Sequence, residues 1–305
     1  MRPTRLFLGL VASVLLTVAA LGAIWLWPLE TAGGLKAELE GNPDHGAYIA
    51  RMAGCIGCHS DLENGGPALA GGPPLDTSFG TFRAPNITPD PEHGIGAWSR
   101  DAFAVAVQHG LSPGGEPYYP AFPYTFYTRL TDQDVADLFA AIWTVPPVGK
   151  PSETHQLVFP FDQRPALKPW RAMFFEPGVF EGDSDRSPLW NRGAYIVEGP
   201  AHCGACHTPR NVLGAREAER ALHGAEGLPG GEDSPPITEA ALRKNGWSRS
   251  DLAFALRTGL KPDGDSFGGS MGEVVRDSTR FLSDQDLQAI ATYLLPGQQT
   301  AETER

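Results

Sequence analysis

Cys55-Ile56-Gly57-Cys58-His59 and Cys203-Gly204-Ala205-Cys206-His207 use all four cysteines of the chain and share one spacing, with a histidine directly after the second cysteine. That spacing lets two thiols add to the two vinyl groups of one haem while the adjacent histidine turns inward as the proximal iron ligand. Two covalently bound haem c groups are therefore expected. Cys55 and Cys58 would hold the first, with His59 on its iron; Cys203 and Cys206 would hold the second, with His207. Two cysteines so spaced also occur in zinc half-sites, redox dithiols and disulfides. Zinc needs two more ligands per site, and the cysteines are exhausted. A thioredoxin-type dithiol opens a helix that follows a strand, whereas the segments before these cysteines carry a helical pattern. Export from the cytoplasm would permit disulfides, yet none of these rivals accounts for a histidine after both motifs.

Outward from the motifs, the whole second half repeats the first. Gly46-Ala47-Tyr48-Ile49 recurs as Gly193-Ala194-Tyr195-Ile196, and Pro85-Asn86-Ile87-Thr88 is echoed by Pro235-Pro236-Ile237-Thr238. Trp98-Ser99-Arg100, Gly110-Leu111 and Leu130-Thr131-Asp132-Gln133-Asp134 return as Trp247-Ser248-Arg249, Gly259-Leu260 and Leu282-Ser283-Asp284-Gln285-Asp286. The offset drifts only from 147 to 152, an agreement of order and spacing that chance does not supply. Each unit predicts three helices: one leading into the cysteines, one after the tryptophan and one after the Asp-Gln-Asp motif. In the last, Thr131 or Ser283 supplies the capping side chain, and the acidic residues that follow suit a helix N-terminus. Val135, Leu138, Phe139, Ile142 and Trp143, like Leu287, Ile290, Ala291 and Leu294, fall at helical spacing and should pack inward.

A haem domain of this size commonly completes its iron with a methionine from a loop well downstream. Met271 lies 64 residues after His207 in Gly268-Gly269-Ser270-Met271-Gly272, just before the last helix, and is the candidate sixth ligand of the second haem. The glycines around it argue against a gap-filling core methionine. The first unit has Phe122 at the matching place, in Tyr119-Pro120-Ala121-Phe122-Pro123-Tyr124, and phenylalanine cannot ligate iron. Met52 shares a helix with Cys55 and should face the proximal side. Met173, His45, His93, His109 and His155 remain as sources of a sixth ligand, and a five-coordinate iron is the other alternative.

Arg2 and Arg5 precede an uncharged stretch from Leu6 to Trp27, 22 residues long and sufficient to span a hydrocarbon core as a helix. Ala20-Leu21-Gly22-Ala23 only partly matches a cleavage site, and the apolar run continues past it, so an uncleaved anchor over residues 1–28 is expected. The arginines would stay cytoplasmic and the remainder would face the periplasm. Between the units, residues 151–187 are rich in proline and in aromatics such as Phe159 and Trp170, and should pack across both domains as a linker. The net charge of −12 argues against nucleic acid. The 36 glycines and 28 prolines in 305 residues favour short helices and long turns over extended sheet.

From Gly46 to Leu295 the sequence resembles the cytochrome c subunits of periplasmic membrane-bound alcohol, gluconate and aldehyde dehydrogenases. The resemblance is carried by Asn86-Ile87-Thr88-Pro89-Asp90, Gly94 through Ser99, Tyr119 through Tyr124, Asn191 through Tyr195 and His202 through Pro209. It implies a mainly α fold of two tandem class I cytochrome c-like domains, at residues 41–150 and 188–297, after the transmembrane helix. It further implies an electron-transfer subunit of the inner membrane, fed by a flavin, quinone or molybdenum dehydrogenase and drained by a quinone, terminal oxidase or other respiratory acceptor. Many members of that family carry three haems, and they often read methionine where Phe122 stands. The ligand roles therefore transfer to His59, His207 and Met271, but not to position 122. A dihaem peroxidase or small-molecule oxidoreductase acting at an open first iron, with His109 or Glu116 as acid-base groups, is the alternative.

Overall fold

The computed structural model describes residues 3–27, 29, 35 and 39–297. Helix α1 (Pro3–Leu26) carries the N-terminal apolar run, of which Gly9–Leu26 is long and apolar enough to cross a membrane and is nowhere buried by the rest of the chain. Arg2 and Pro28, at the ends of the expected anchor, lie outside the described residues.

The first unit begins with α2 (Pro43–Met52), whose N-terminal amides at Asp44 and His45 donate to the Asn42 side chain and whose first residue is proline. Then come α3 (Cys55–His59), a hairpin of β1 (Pro74–Thr77) and β2 (Gly80–Arg83), α4 (Arg100–His109), α5 (Tyr124–Tyr127) and α6 (Asp132–Ile142). The linker adds β3 (Gln156–Leu157), antiparallel to β2, and α7 (Leu167–Phe174). The second unit runs through α8 (Pro188–Glu198), α9 (Gly204–His207), α10 (Glu239–Lys244), α11 (Arg249–Thr258), α12 (Gly269–Asp277) and α13 (Asp284–Leu294). The three helices expected in each unit are α2, α4 and α6, and α8, α11 and α13.

The capping residues act as their sequence positions imply. Thr131 Oγ1 accepts from Asp134 N at 3.0 Å and Ser283 Oγ from Asp286 N at 3.1 Å. Ser99 and Ser248 cap α4 and α11 in the same way, Ser248 within a reciprocal capping box with Asp251. The Gly-Ala-Tyr-Ile repeat also gains a physical reason. A Cβ on Gly46 would collide with the Asp137 carbonyl of α6, and one on Gly193 with the Ala289 carbonyl of α13. Only glycine lets the first and last helices of each unit cross at that distance.

The two units share a single continuous core. Ile49, Leu130, Val135, Leu138 and Ile142 from the first join Ile196, Leu282, Leu287, Ile290 and Leu294 from the second in one buried cluster. Each such aliphatic side chain contributes roughly 1.5–3 kcal/mol of burial. Across the seam the Tyr48 hydroxyl donates to Asp286 Oδ2 at 2.6 Å, and the Tyr195 hydroxyl donates to Asp134. The tyrosine that follows each crossing glycine thus reaches the opposite unit's last helix.

Two features depart from the sequence expectation. A small antiparallel sheet, in the order β1-β2-β3, forms where only turns were expected, and it ties the linker to the first unit. Met271 sits in the first turn of α12 and not in an irregular loop. The linker does lie across both units: Phe175 packs edge-on to Tyr124 at 5.1 Å, Phe180 on Tyr195 at 5.7 Å, and Trp170 Nε1 donates to Leu213 O at 3.0 Å.

Candidate haem cradles

Each cysteine motif occupies a short helix placed by the helix before it. Gly54, at φ 70°, turns the chain from α2 into α3, and His202, at φ 39°, does the same between α8 and α9. The two turns meet, since a Cβ on Gly54 would lie 3.6 Å from His202 Cε1. The motifs therefore lie back to back at the seam between the units.

The histidines of the two motifs are held alike. His59 Nδ1 makes a 2.8 Å hydrogen bond with the Pro85 carbonyl, and His207 Nδ1 a 2.7 Å bond with the Pro235 carbonyl. A carbonyl accepts only, so Nδ1 carries the proton and Nε2 keeps its lone pair, the arrangement a metal-ligating imidazole requires. Burial lowers the pKa of both rings, partly offset by those carbonyls, and keeps the imidazoles neutral.

All four thiols are free, with Cys58 and Cys206 exposed and Cys55 and Cys203 half-buried. Burial, reinforced by the neighbouring cysteine, pushes Cys55 and Cys203 up to about 12. A redox dithiol needs the opposite shift. The chemistry of this donor set fits haem: two sulfurs on one short helix, a neutral imidazole with a free nitrogen, and no third or fourth thiolate for zinc.

The candidate sixth positions differ. Met271 is half-buried on α12, whose first turn is fixed by Ser270 N donating to Glu232. Phe122 instead packs into an aromatic cluster, 5.8 Å from Tyr118, 6.5 Å from Tyr124 and 5.7 Å from Tyr127. Tyr127 is buried beside Cys55 and Cys58, and its hydroxyl donates to Ala53 O, so this cluster borders the first motif.

The other ligand candidates differ in setting. Met173 is exposed on the outer face of α7, and Met52 is buried in the core. His45 pairs with Asp137 at 2.7 Å, and His155 accepts from Arg83 N while packing on Phe82 and Tyr119. His109 is half-buried near Arg171, and His93 is half-exposed in a turn closed by Asp90. His45, Asp134 and Asp137 do gather within 4.8 Å of one another. Their hydrogen bonds to one another, Tyr195, Asn42 N and Gln133 make them part of the seam.

Each cradle is also walled by the other unit. Phe126 of α5 lies against the backbone at Gly204, and Asp277 of α12 lies 3.8 Å from a Cβ placed on Gly57. The helix that carries Met271, and the one that follows Phe122, thus each touch the cysteine motif of the other unit.

Comparison with known proteins agrees with this double construction. The family described as Cytochrome c matches residues 44–146 and again residues 191–297. The chain belongs to the cytochrome c family. Its two cytochrome c units bind two covalent haem c groups. It is similar to a diheme cytochrome c-type protein of Cereibacter sphaeroides, 44% identical over 92% of this chain and 94% of that protein. It is also similar to the fructose dehydrogenase cytochrome subunit of Gluconobacter japonicus, 41% identical over 82% of this chain. The gluconate 2-dehydrogenase cytochrome c subunit of Pantoea cypripedii is 39% identical over the same share. Matches to this cytochrome cover 51% and 58% of those two dehydrogenase subunits.

Proposed function

We propose that this cytochrome relays single electrons from a partner dehydrogenase, of flavin, quinone or molybdenum type, to a quinone, terminal oxidase or other respiratory acceptor. The haem irons supply the one-electron couples; the protein holds them, orients them and excludes other chemistry. Cys55, Cys58 and His59 hold the first haem, and Cys203, Cys206, His207 and Met271 the second. The observation that carries the reading is the matched tether of His59 and His207 to the Pro85 and Pro235 carbonyls, which fixes an iron-ready Nε2 in both units. The dehydrogenase partnership is supported by the similar subunits of fructose and gluconate dehydrogenases.

α1 serves as a single-pass anchor in the inner membrane, with its N-terminus cytoplasmic and both haem units in the periplasm. The wall around Phe122 is aromatic, and burial raises the pKa of the Tyr118 and Tyr124 hydroxyls and keeps them protonated, which favours a carrier over a peroxidase. A spectral titration of the purified holoprotein with cyanide, carbon monoxide and peroxide tests this. Rapid peroxide turnover would replace the carrier reading with an enzymatic one. Co-purification with a dehydrogenase subunit, and reduction of the haems by that subunit's substrate, is the expected positive result.

A further inference from the structure

The end of α1 does not hang free. Lys168 Nζ, on α7, donates to the carbonyls of Trp25 and Trp27 at 2.7 Å each. The last carbonyls of a helix lack intrahelical partners, and a cation there satisfies them and the helix dipole together. The turn at Arg164–Ala166 packs on α1 as well. The head of the anchor is thus seated on the linker.

Around that seat the chain leaves apolar side chains in solvent: Val158, Phe159 and Phe161 in the turn after β3, Met173 on α7, and Val212 and Leu213 beyond the second motif. Phe159 is 79% exposed, Met173 61% and Val212 97%. They belong to one surface. Phe79 packs edge-on to Phe161 at 4.8 Å and lies against Gly214, while Trp170 is bonded to Leu213 O. A patch of this kind on a soluble protein marks a binding face. The linker stretch 156–175 carries one acidic residue, Asp162, against Arg164 and Lys168, with Arg171 buried on Tyr124 and Phe175, in a chain of net charge −12. Aromatic and aliphatic side chains flanked by Arg164 and Lys168, at the exit of an apolar helix, form the composition of a membrane interface.

We propose that this face, built from the linker turn, α7 and the 212–213 loop, rests on the periplasmic surface of the lipid bilayer. The proposal extends the anchor reading of α1. A tether alone would let the haem units tumble above the membrane. With the face seated in the headgroup layer, both cradles take a fixed height and tilt relative to it.

The test places a photoreactive phenylalanine analogue singly at Phe159, Met173 or Val212 in the full chain, reconstituted in nanodiscs of phosphatidylethanolamine and phosphatidylglycerol. Leu15 on α1 and Phe254 on the second unit, 64% and 55% exposed, serve as references. After illumination, mass spectrometry should find lipid adducts at 159, 173, 212 and 15, and none at 254. Adducts at 15 without any at 159, 173 or 212 would overturn the face and leave the anchor standing. Adducts at the three face positions but not at 15 would support the face and remove the anchor. Crosslinks from the three positions to a second copy in nanodiscs, or to another protein in native membranes in place of lipid, would overturn the bilayer as occupant.

Discussion

The first and second cytochrome units keep the same scaffold and differ at the position proposed to complete the iron. Both cross their first and last helices over a glycine, cap the last helix with a hydroxyl and tether the proximal histidine to a proline carbonyl. At the proposed sixth position one unit has Met271 on the nine-residue α12 and the other has Phe122 ahead of the four-residue α5. At the seam, Arg192 grips Asp286 with two 2.8 Å hydrogen bonds, whereas the first unit has His45 at the matching place. Duplication has preserved what places the histidine and changed the residue at the proposed sixth position. Axial ligands tune haem potentials over about 0.8 V, so the two haems of one chain should stand well apart.

Met271→Leu should have the largest effect. It should lower the second haem's potential by on the order of 0.2 V, a fraction of the range open to axial ligation. It should also abolish the methionine-to-iron charge-transfer band. Spectroelectrochemistry reads both, and an unchanged potential would remove Met271 from the iron. Phe122→Met is the converse. It should raise the first haem's potential by a comparable but smaller step, since the aromatic cluster must repack, and should add a second methionine band. If neither appears, Phe122 does not stand opposite His59.

The seam offers a third contrast. Asp286→Asn removes the charge that Arg192 and Tyr48 share, and should cost about 3 kcal/mol in denaturant unfolding of the holoprotein. Asp134→Asn weakens chiefly the Tyr195 hydrogen bond and should cost about 1–2 kcal/mol. Equal losses would mean that the two halves of the seam are equivalent after all.

The smallest effect is acid sensitivity. Burial raises the carboxyls of Asp286 and Asp137, but hydrogen bonds more than offset it: from Arg192 and Tyr48 on one, and from Asn42 N, His45 and Gln133 on the other. Both pKa values are therefore lowered. A depressed carboxyl stabilises the fold fully above its unfolded value, near 3.9, and loses that contribution as pH falls through the lower folded value. Unfolding midpoints should therefore hold steady down to about pH 5 and fall below about pH 4, with a shallower decline in Asp286→Asn.

Much of this arrangement was readable in the sequence because local rules produce it. The cysteine spacing, the capping hydroxyls at 131 and 283 and the helical periodicity of α6 and α13 depend on neighbours within a few residues. The repeat of Pro85 and Pro235 was visible too, but its use as a tether needs a contact 26 or 28 residues away. The Tyr48–Asp286 bond joins residues 238 apart, and no pattern in either segment announces it. The hairpin of β1 and β2 escaped for a different reason. Its strands are four residues each and β1 is largely exposed, too short and too polar for a period-two pattern. Met271 reads as a loop residue because its flanking glycines mask a helix start that a glutamate side chain, 38 residues earlier, completes.

The tyrosine bonds across the seam have a further consequence. Tyr48 to Asp286 and Tyr195 to Asp134 are reciprocal contacts, residue i of one body on j of the other and the reverse, the signature of an isologous twofold interface. A single-unit protein with this tyrosine and this aspartate would meet its own copy through the same pair, as a homodimer whose population falls on dilution. Joining the copies through residues 151–187 turns that association into an intramolecular one. Once the partner can no longer leave, each copy is free to diverge, and a symmetric pair of equal redox centres can become an ordered pair of unequal ones.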